Sequence, residues 1–254
     1  MRDGPRVVML MEILHIGYCP LWSGWLLEIM RRLRSSPSAT LKSRMEAWES
    51  TPLSEMGSAL ATKMSMLGLV LRRFDQQMRR LNDELKDQSD ATLREMVREQ
   101  VVHTTGDDAL PCEILVEVDS FFFESRSAYE IVGKFLREFF QRIWAEDVSE
   151  AEIIRPLEEE RIDTRWIKQL RDHRVLFFHH TAPWIALEVV SWEPHRFDLL
   201  VLKKLVPDDP SDVIHFNELV EIYRGFATSM NALHRFVLKK IEEFEARDAW
   251  EANT

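Results

Sequence analysis

The stretch that decides the fold is Pro111–Trp144, which reads PCEILVEVDSFFFESRSAYEIVGKFLREFFQRIW. Its apolar residues recur at steps of three and four, a spacing that places them along one side of an α-helix. The first part, Cys112–Val118, also alternates in the way that a β-strand does. Because the helical spacing continues through that part without a turn signal, we predict one long helix over the whole stretch.

The same spacing extends outward on both sides and predicts a mainly α-helical fold. Thr51 and Pro52 form a capped start for a second long helix, and the acidic segment 147–161 indicates a connector or a short helix. After Pro183 the apolar residues change to a period of two, which is typical of a β-hairpin. We therefore predict a bundle of long antiparallel helices with one small β-hairpin before the last helix. The other helices are expected at residues 52–85, 89–103, 165–180 and 212–246, and the hairpin at 184–203.

One domain is predicted, at residues 51–246, followed by a short tail at 247–254. In residues 1–50, charges and prolines interrupt the apolar residues, and Ser35–Ser38 is typical of a linker. We therefore predict a poorly packed N-terminal extension and linker, and one interpretation is that the natural protein starts downstream at Met45. The interruptions exclude a membrane helix and argue against a secretory signal, so no membrane partner is expected.

The composition is that of an ordinary globular protein, since 45% of the 254 residues are hydrophobic and 30% are charged. Only 8 residues are glycine, which favours helices because glycine costs about 1 kcal/mol in a helix interior. The net charge of -10 excludes a protein covered by a basic nucleic-acid-binding surface but allows a local basic groove. Cys19 and Cys112 have no paired spacing, which argues against a disulfide framework or a zinc module and fits a cytoplasmic protein.

The densest cluster of chemically useful residues is Arg171–His180, RDHRVLFFHH, at the end of a predicted helix that Pro183 closes. It contains two arginines, three histidines and a carboxylate, which are groups that act near neutral pH. His173 and His180 share a helix face but lie about 10 Å apart along the axis, too far to chelate one ion as an i, i+4 pair does. With no glycine-rich phosphate loop either, we predict neither a metal nor a cofactor.

Arg174 and His179 are the residue types needed for metal-independent cleavage of a phosphodiester. Histidine moves the proton of the attacking 2′-hydroxyl, and arginine neutralises the charge that grows on the phosphoryl oxygens. On a regular helix the two residues lie about 140° apart. They converge only if the helix loosens before Pro183, or if a second subunit completes the site. We predict these two residues as catalytic.

A second group of candidates lies within the long Pro111–Trp144 helix. Asp119, Arg126 and Tyr129 share one face, and a charged pair among apolar neighbours is costly unless it is matched. We expect an ion pair between Asp119 and Arg126 and another between Glu124 and an arginine from elsewhere, with substrate contact as the alternative role. The predicted supporting residues are Asp119, Glu124, Arg126, Tyr129, Arg171 and His180.

An arginine and a histidine separated by four residues at the end of a helix resemble the motif of the HEPN superfamily, all-helical domains named for higher eukaryotes and prokaryotes nucleotide-binding. Here the motif is Arg174–His179, and Phe123–Tyr129 resembles the first core helix of such domains. The resemblance implies a metal-independent endoribonuclease of a toxin–antitoxin or defence system, with a site formed across a homodimer. RNA, a second copy of the chain and an antitoxin protein are the partners it implies. Val175 follows Arg174 where active members usually have a polar residue, so a retained fold with altered activity is an alternative.

A rival hypothesis from another class is an interaction scaffold without chemistry. In that case Arg171 and Arg174 pair with Asp119 and Glu124 inside the bundle, and the charged interior fixes the register of the helices. The histidines that end the helix then act as C-terminal caps, where positive charge is favoured. Non-catalytic binding of RNA or a nucleotide is the third possibility.

Overall fold

The computed structural model describes residues 20–49, 52–99, 109–179, 184–193, 195–204 and 206–251. Within these ranges it describes the side chains except those of residues 20–24, 47–49, 52–58 and 174–179. The helices are α1 (Pro20–Arg34), α2 (Ala39–Glu49), α3 (Pro52–Lys86), α4 (Asp90–Glu99), α5 (Leu110–Phe139), α6 (Glu150–Glu159), α7 (Arg165–His179) and α8 (Phe216–Glu251). The strands are β1 (Trp184–Trp192), β2 (His195–Leu202) and β3 (Val213–His215). The protein is mainly α-helical, as predicted.

Helices α3 and α5 form a long antiparallel pair, as predicted. Lys63 near the start of α3 pairs with Glu124, whereas Arg80 near its end pairs with Glu113. The apolar stripe of α5 faces the core, where its phenylalanines at 121, 122, 135 and 139 are fully buried. At its end α5 continues as a π-helical turn over Phe140–Trp144, so the predicted helix is confirmed at both ends.

A small antiparallel sheet in the order β1-β2-β3 precedes the last helix. The predicted hairpin is confirmed, with Leu187 opposite Leu199. The third strand was not predicted. We expected the last helix to begin at Asp212, but Val213–His215 forms a strand that pairs with β2. That helix, α8, begins at Phe216 and extends to Glu251, beyond the predicted end at residue 246.

The prediction of a poorly packed N-terminal extension was wrong for the part of it that the structure describes. Trp25 of α1 is 3% exposed, and its indole Nε1 donates to the backbone carbonyl of Met230 in α8 at 3.0 Å. Leu41 of α2 is fully buried. The serines that indicated a linker form a capped corner instead, because Ser38 Oγ accepts from the backbone N–H of Leu41 at 3.2 Å. Residues 1–19 lie outside the described residues.

None of the helices in the described ranges has the length and apolar character needed to cross a membrane.

Candidate functional site

The predicted catalytic residues lie on or beside the last turns of α7. The helix runs to His179, close to the predicted end, and its backbone carries Arg174 about 4.5 Å further along the axis than Arg171. The side chains of Arg174 and His179, and the whole of His180, lie outside the described residues. Their convergence on one phosphate therefore stays a prediction.

His173, in the middle of the sequence cluster, has a packing role. It is 6% exposed, and its ring lies edge-on to Phe122 of α5 at 5.7 Å between centroids. Its Nε2 lies 3.5 Å from a carboxylate oxygen of Glu218 in the first turn of α8. This contact lowers the pKa of Glu218, which also accepts from the backbone N–H of His215. His173 therefore links α7 to the core and to α8.

The expected ion pair between Asp119 and Arg126 does not form. Asp119 is exposed, and Arg126 Nε instead contacts Glu130 Oε1 at 2.8 Å, one turn along the same helix. Residues seven apart on a helix are separated by about 10 Å along the axis, whereas residues four apart are neighbours. Glu124 is buried and has a cationic partner from another helix, as expected, but the partner is the half-buried Lys63 rather than an arginine.

Cation–carboxylate pairs connect α3 to α5 along much of their length. The carboxylates of Glu117 and Glu124 are the buried members, with side chains 8% and 9% exposed. Such pairs fix the register of the two helices, because a shift of one along the other would leave a carboxylate buried without a cation. Within the described residues the pairs are Lys63–Glu124 at 2.9 Å, Arg73–Glu117 at 3.0 Å and Arg80–Glu113 at 3.2 Å.

A cavity of about 170 Å³ lies on another side of α5, between α5, α6, α7 and α8. We call it the α5–α8 cavity. Its apolar walls come from all four helices and include Val132, Ile153, Leu157, Trp166 and Leu233. Pockets of this kind, largely apolar with a few polar groups at fixed positions, are where proteins bind small molecules or parts of larger ones.

Trp166 forms a rigid wall of the α5–α8 cavity. Its indole Nε1 donates to Ser229 Oγ at 3.0 Å, and its ring contacts those of Tyr129 and Phe226 edge-on. The ring packs on α8 at Gly225, where a β-carbon would lie 2.4 Å from Trp166 Cδ1. The glycine is therefore required for the indole to approach the helix backbone.

Polar groups at one end of the cavity gather around Tyr129. Its hydroxyl donates to Glu150 Oε1 at 2.5 Å, and burial together with this bond raises the pKa of Tyr129 to about 12. The guanidinium of Arg126 lies 5.5 Å from the centre of the Tyr129 ring, and Arg171 Nη2 lies 3.8 Å from Glu150. The phenol therefore stays protonated at neutral pH, and two arginines from different helices meet at one tyrosine–carboxylate pair.

The border of the α5–α8 cavity carries more positive than negative charge. Arg126, Lys134 and Arg137 line it, with Arg171 beside Glu150, and the carboxylates there are Glu150 and Glu130. Four cations therefore face two carboxylates in a protein whose net charge is -10. In the part of the chain that the structure describes, Lys134 and Arg137 form no ion pair. An anionic ligand is favoured at this border.

Three of the six predicted supporting residues, Arg126, Tyr129 and Arg171, thus lie together at the cavity. Sequence reasoning missed Lys134, although it follows Arg126 at helical spacing along α5. It also missed Glu150, because that residue lies in the acidic segment 147–161, which we interpreted only as a connector or a short helix. The spacing of positions 126, 130, 134 and 137 is the signal that could have indicated a charged stripe.

Across the described ranges, one group of side chains could offer ligands to a metal ion. Glu188 of β1, Asp198 of β2 and His215 of β3 have ligand atoms within 4.8 Å of one another on the outer face of the sheet. Glu188 and His215 are exposed and Asp198 is half-buried, a setting in which acidic side chains are common without an ion. In the described contacts none of the three residues touches a residue that lines the cavity.

Comparison with known proteins finds no match to any protein-family model, curated protein or solved structure. The resemblance to HEPN proteins therefore rests on the residues quoted above.

Proposed function

We propose that the protein binds RNA at the cationic border of the α5–α8 cavity and cleaves it without a metal ion, as a homodimer of the HEPN type. The observation that carries this proposal is the approach of Arg126 and Arg171 to the single Tyr129–Glu150 pair. Guanidinium groups bind phosphate oxygens through paired hydrogen bonds, so a phosphate can replace the carboxylates as their partner.

Arg174 supplies the link from binding to chemistry. It follows Arg171 by three residues on α7, which places it about 60° round the helix and about 4.5 Å further along. A phosphodiester held by Arg171 therefore extends toward Arg174, whose charge stabilises the phosphoryl oxygens as the 2′-oxygen attacks phosphorus. The P–O bond to the 5′-oxygen breaks, which leaves a 2′,3′-cyclic phosphate and a 5′-hydroxyl.

His179 is the acid–base group in this proposal. It takes the proton of the 2′-hydroxyl as a base or gives a proton to the departing 5′-oxygen as an acid, and water or a second acid–base group makes the other transfer. Because Arg174 and His179 lie about 140° apart on a regular helix, a second copy of the chain brings one residue to the other. Homodimerisation and a toxin–antitoxin setting are parts of the same proposal.

Growth of a host cell on induced expression tests the proposal. We expect wild type to arrest growth and Arg174→Ala and His179→Ala each to restore it at equal protein levels. Arg165→Ala is the matched control, because Arg165 lies at the other end of α7 and pairs with Asp163 at 2.6 Å. It should arrest growth as wild type does. Harmless wild type, without a neighbouring antitoxin gene, would contradict the proposal.

A scaffold without chemistry is the second candidate, and the pairs between α3 and α5 favour it. Buried carboxylates at Glu117 and Glu124 fix the helix register, which is what a rigid interaction module needs. Arg171 pairs with Glu150 rather than with the carboxylates that this hypothesis expected, Asp119 and Glu124. The growth experiment separates the two, because a scaffold is indifferent to Arg174→Ala.

A further inference from the structure

We infer that the α5–α8 cavity is a base-binding subsite that accepts a single-ring pyrimidine, with the attached phosphate at its cationic border. The inference deepens the proposed RNA binding and rests on it for the identity of the ligand. It is carried by four features of the cavity: its size, an open glycine in its wall, a buried hydroxyl whose proton no described residue accepts, and border cations that pair with no carboxylate among the described residues.

The size of the cavity matches one six-membered ring. Its volume is about 170 Å³, and an apolar protein cavity of about 150 Å³ is known to hold a benzene-sized ring. A fused purine is larger than such a space. The walls include the rings of Tyr129 and Trp166, which offer the aromatic surfaces on which nucleobases pack.

Gly133 leaves part of the cavity wall open. It lies in the interior of α5, where glycine costs about 1 kcal/mol relative to alanine, and a β-carbon built on it meets nothing within 4 Å. Packing explains the glycine at 225, which Trp166 contacts, but it does not explain the one at 133. A side chain at this position would occupy space that a ligand can use.

Ser229 provides a directional contact inside the cavity. It lines the wall and is fully buried, and its Oγ accepts from the indole of Trp166. Among the described residues no acceptor receives the proton of the Ser229 hydroxyl. A buried donor without a partner is unfavourable, and a pyrimidine carbonyl oxygen in the cavity would accept this hydrogen bond.

Lys134 and Arg137 complete the subsite at the border. Both line the cavity from α5 and, in the described part of the chain, form no ion pair. A base inside the cavity places its ribose phosphate near this border, where the unpaired cations are available to it. A free pyrimidine nucleotide and a pyrimidine within an RNA chain both carry this ring, its carbonyl oxygen and an attached phosphate, so either could occupy the subsite.

Binding of labelled RNA octamers, measured by fluorescence anisotropy, tests the inference. We expect wild type to bind oligouridine at least about tenfold more tightly than oligoadenosine, which carries the same phosphates. Gly133→Leu should remove this preference and leave oligoadenosine affinity within about twofold, because it fills the cavity and spares the border. Gly68→Leu is the matched control, since a β-carbon at Gly68 of α3 also meets nothing within 4 Å and lies outside the cavity.

The other possible results of the binding experiment would each overturn a specific part of the account. Equal binding of the two octamers, or a uridine preference that survives Gly133→Leu in a folded protein, overturns the base subsite and leaves RNA binding intact. If neither octamer binds, uridine monophosphate is titrated alone. Binding that Gly133→Leu abolishes then supports a site for free nucleotides and overturns RNA binding. No binding of the monophosphate overturns both.

Discussion

The indole of Trp166 lies directly on Gly225, so that a β-carbon at position 225 would come within 2.4 Å of Cδ1 and 2.6 Å of Cγ. These ring atoms cannot move aside, because the indole is held on its other sides by Ser229, Tyr129 and Phe226. The position of the Trp166 indole in the wall of the α5–α8 cavity therefore depends on the absence of a β-carbon at Gly225.

Gly225→Ala should lower the free energy of unfolding by about 2 kcal/mol through overpacking, although alanine is the better helix former. Urea unfolding measures this change. Gly68→Ala and Gly133→Ala are the controls, and each should raise stability by about 0.5 to 1 kcal/mol because its methyl group enters open space. Equal effects at the three glycines would contradict this interpretation of Trp166.

Lys63→Met should destabilise the protein by about 3 kcal/mol, because it leaves the carboxylate of Glu124 buried without its cation. The double variant Lys63→Met/Glu124→Leu should recover most of the loss, since neither charge then needs a partner. As the control, Arg79→Met breaks the exposed pair with Asp75 and should change stability by less than about 1 kcal/mol. A single variant as stable as the double variant would argue against a register-fixing pair.

Protonation of His234 should lower the free energy of unfolding at acidic pH. Burial lowers the pKa of His234 from 6.5, an effect that Glu28 opposes and Arg235 reinforces. The folded protein therefore favours the neutral ring, and the stability this provides is present above pH 6.5 and lost as the pH falls through the lower folded pKa. Urea unfolding at about pH 7.5 and about pH 5.5 should show a smaller loss for His234→Gln than for wild type. Equal losses would exclude His234 as the cause.

The N-terminal helices should be essential to the fold. Trp25→Ala should cost about 3 to 5 kcal/mol, because it empties a buried site between α1, α5 and α8. Leu27→Ala is the control, since Leu27 is 55% exposed and should matter little. A chain starting at Met45 lacks Trp25, Ile29 and Leu41, and circular dichroism should report a protein that unfolds at a much lower temperature. A truncated protein as stable as the full chain would contradict the packing of α1.

The helices were predictable because burial of one helix face imposes a spacing that is visible in the sequence. The 34 residues from Pro111 to Trp144 carry that spacing throughout, and the structure forms one helix there. The strand Val213–His215 is too short to show a period. In α1 the proline at position 20 misled the prediction, because proline is accepted in the first turn of a helix and breaks it only further inside.

The candidate site was predictable only in its residue types. Arg126 and Tyr129 were identified because they share a helix face with Asp119, and Arg171 because it lies in the Arg171–His180 cluster. The fold brings the three together. Their actual partners were not predictable, because Glu150 comes from another helix and its approach depends on tertiary packing. The expected pair of Arg126 with Asp119 failed for a local reason, because helix geometry favours the neighbour four residues away, Glu130.

The most direct test of the central claim is cleavage of a labelled single-stranded RNA by the purified protein in excess EDTA. We expect wild type to produce fragments ending in a 2′,3′-cyclic phosphate, and Arg174→Ala and His179→Ala each to slow cleavage by about 100-fold or more. Arg165→Ala should cleave as wild type does. RNA left intact by the wild-type protein, or cleaved equally by all variants, would contradict the assignment of ribonuclease activity to α7.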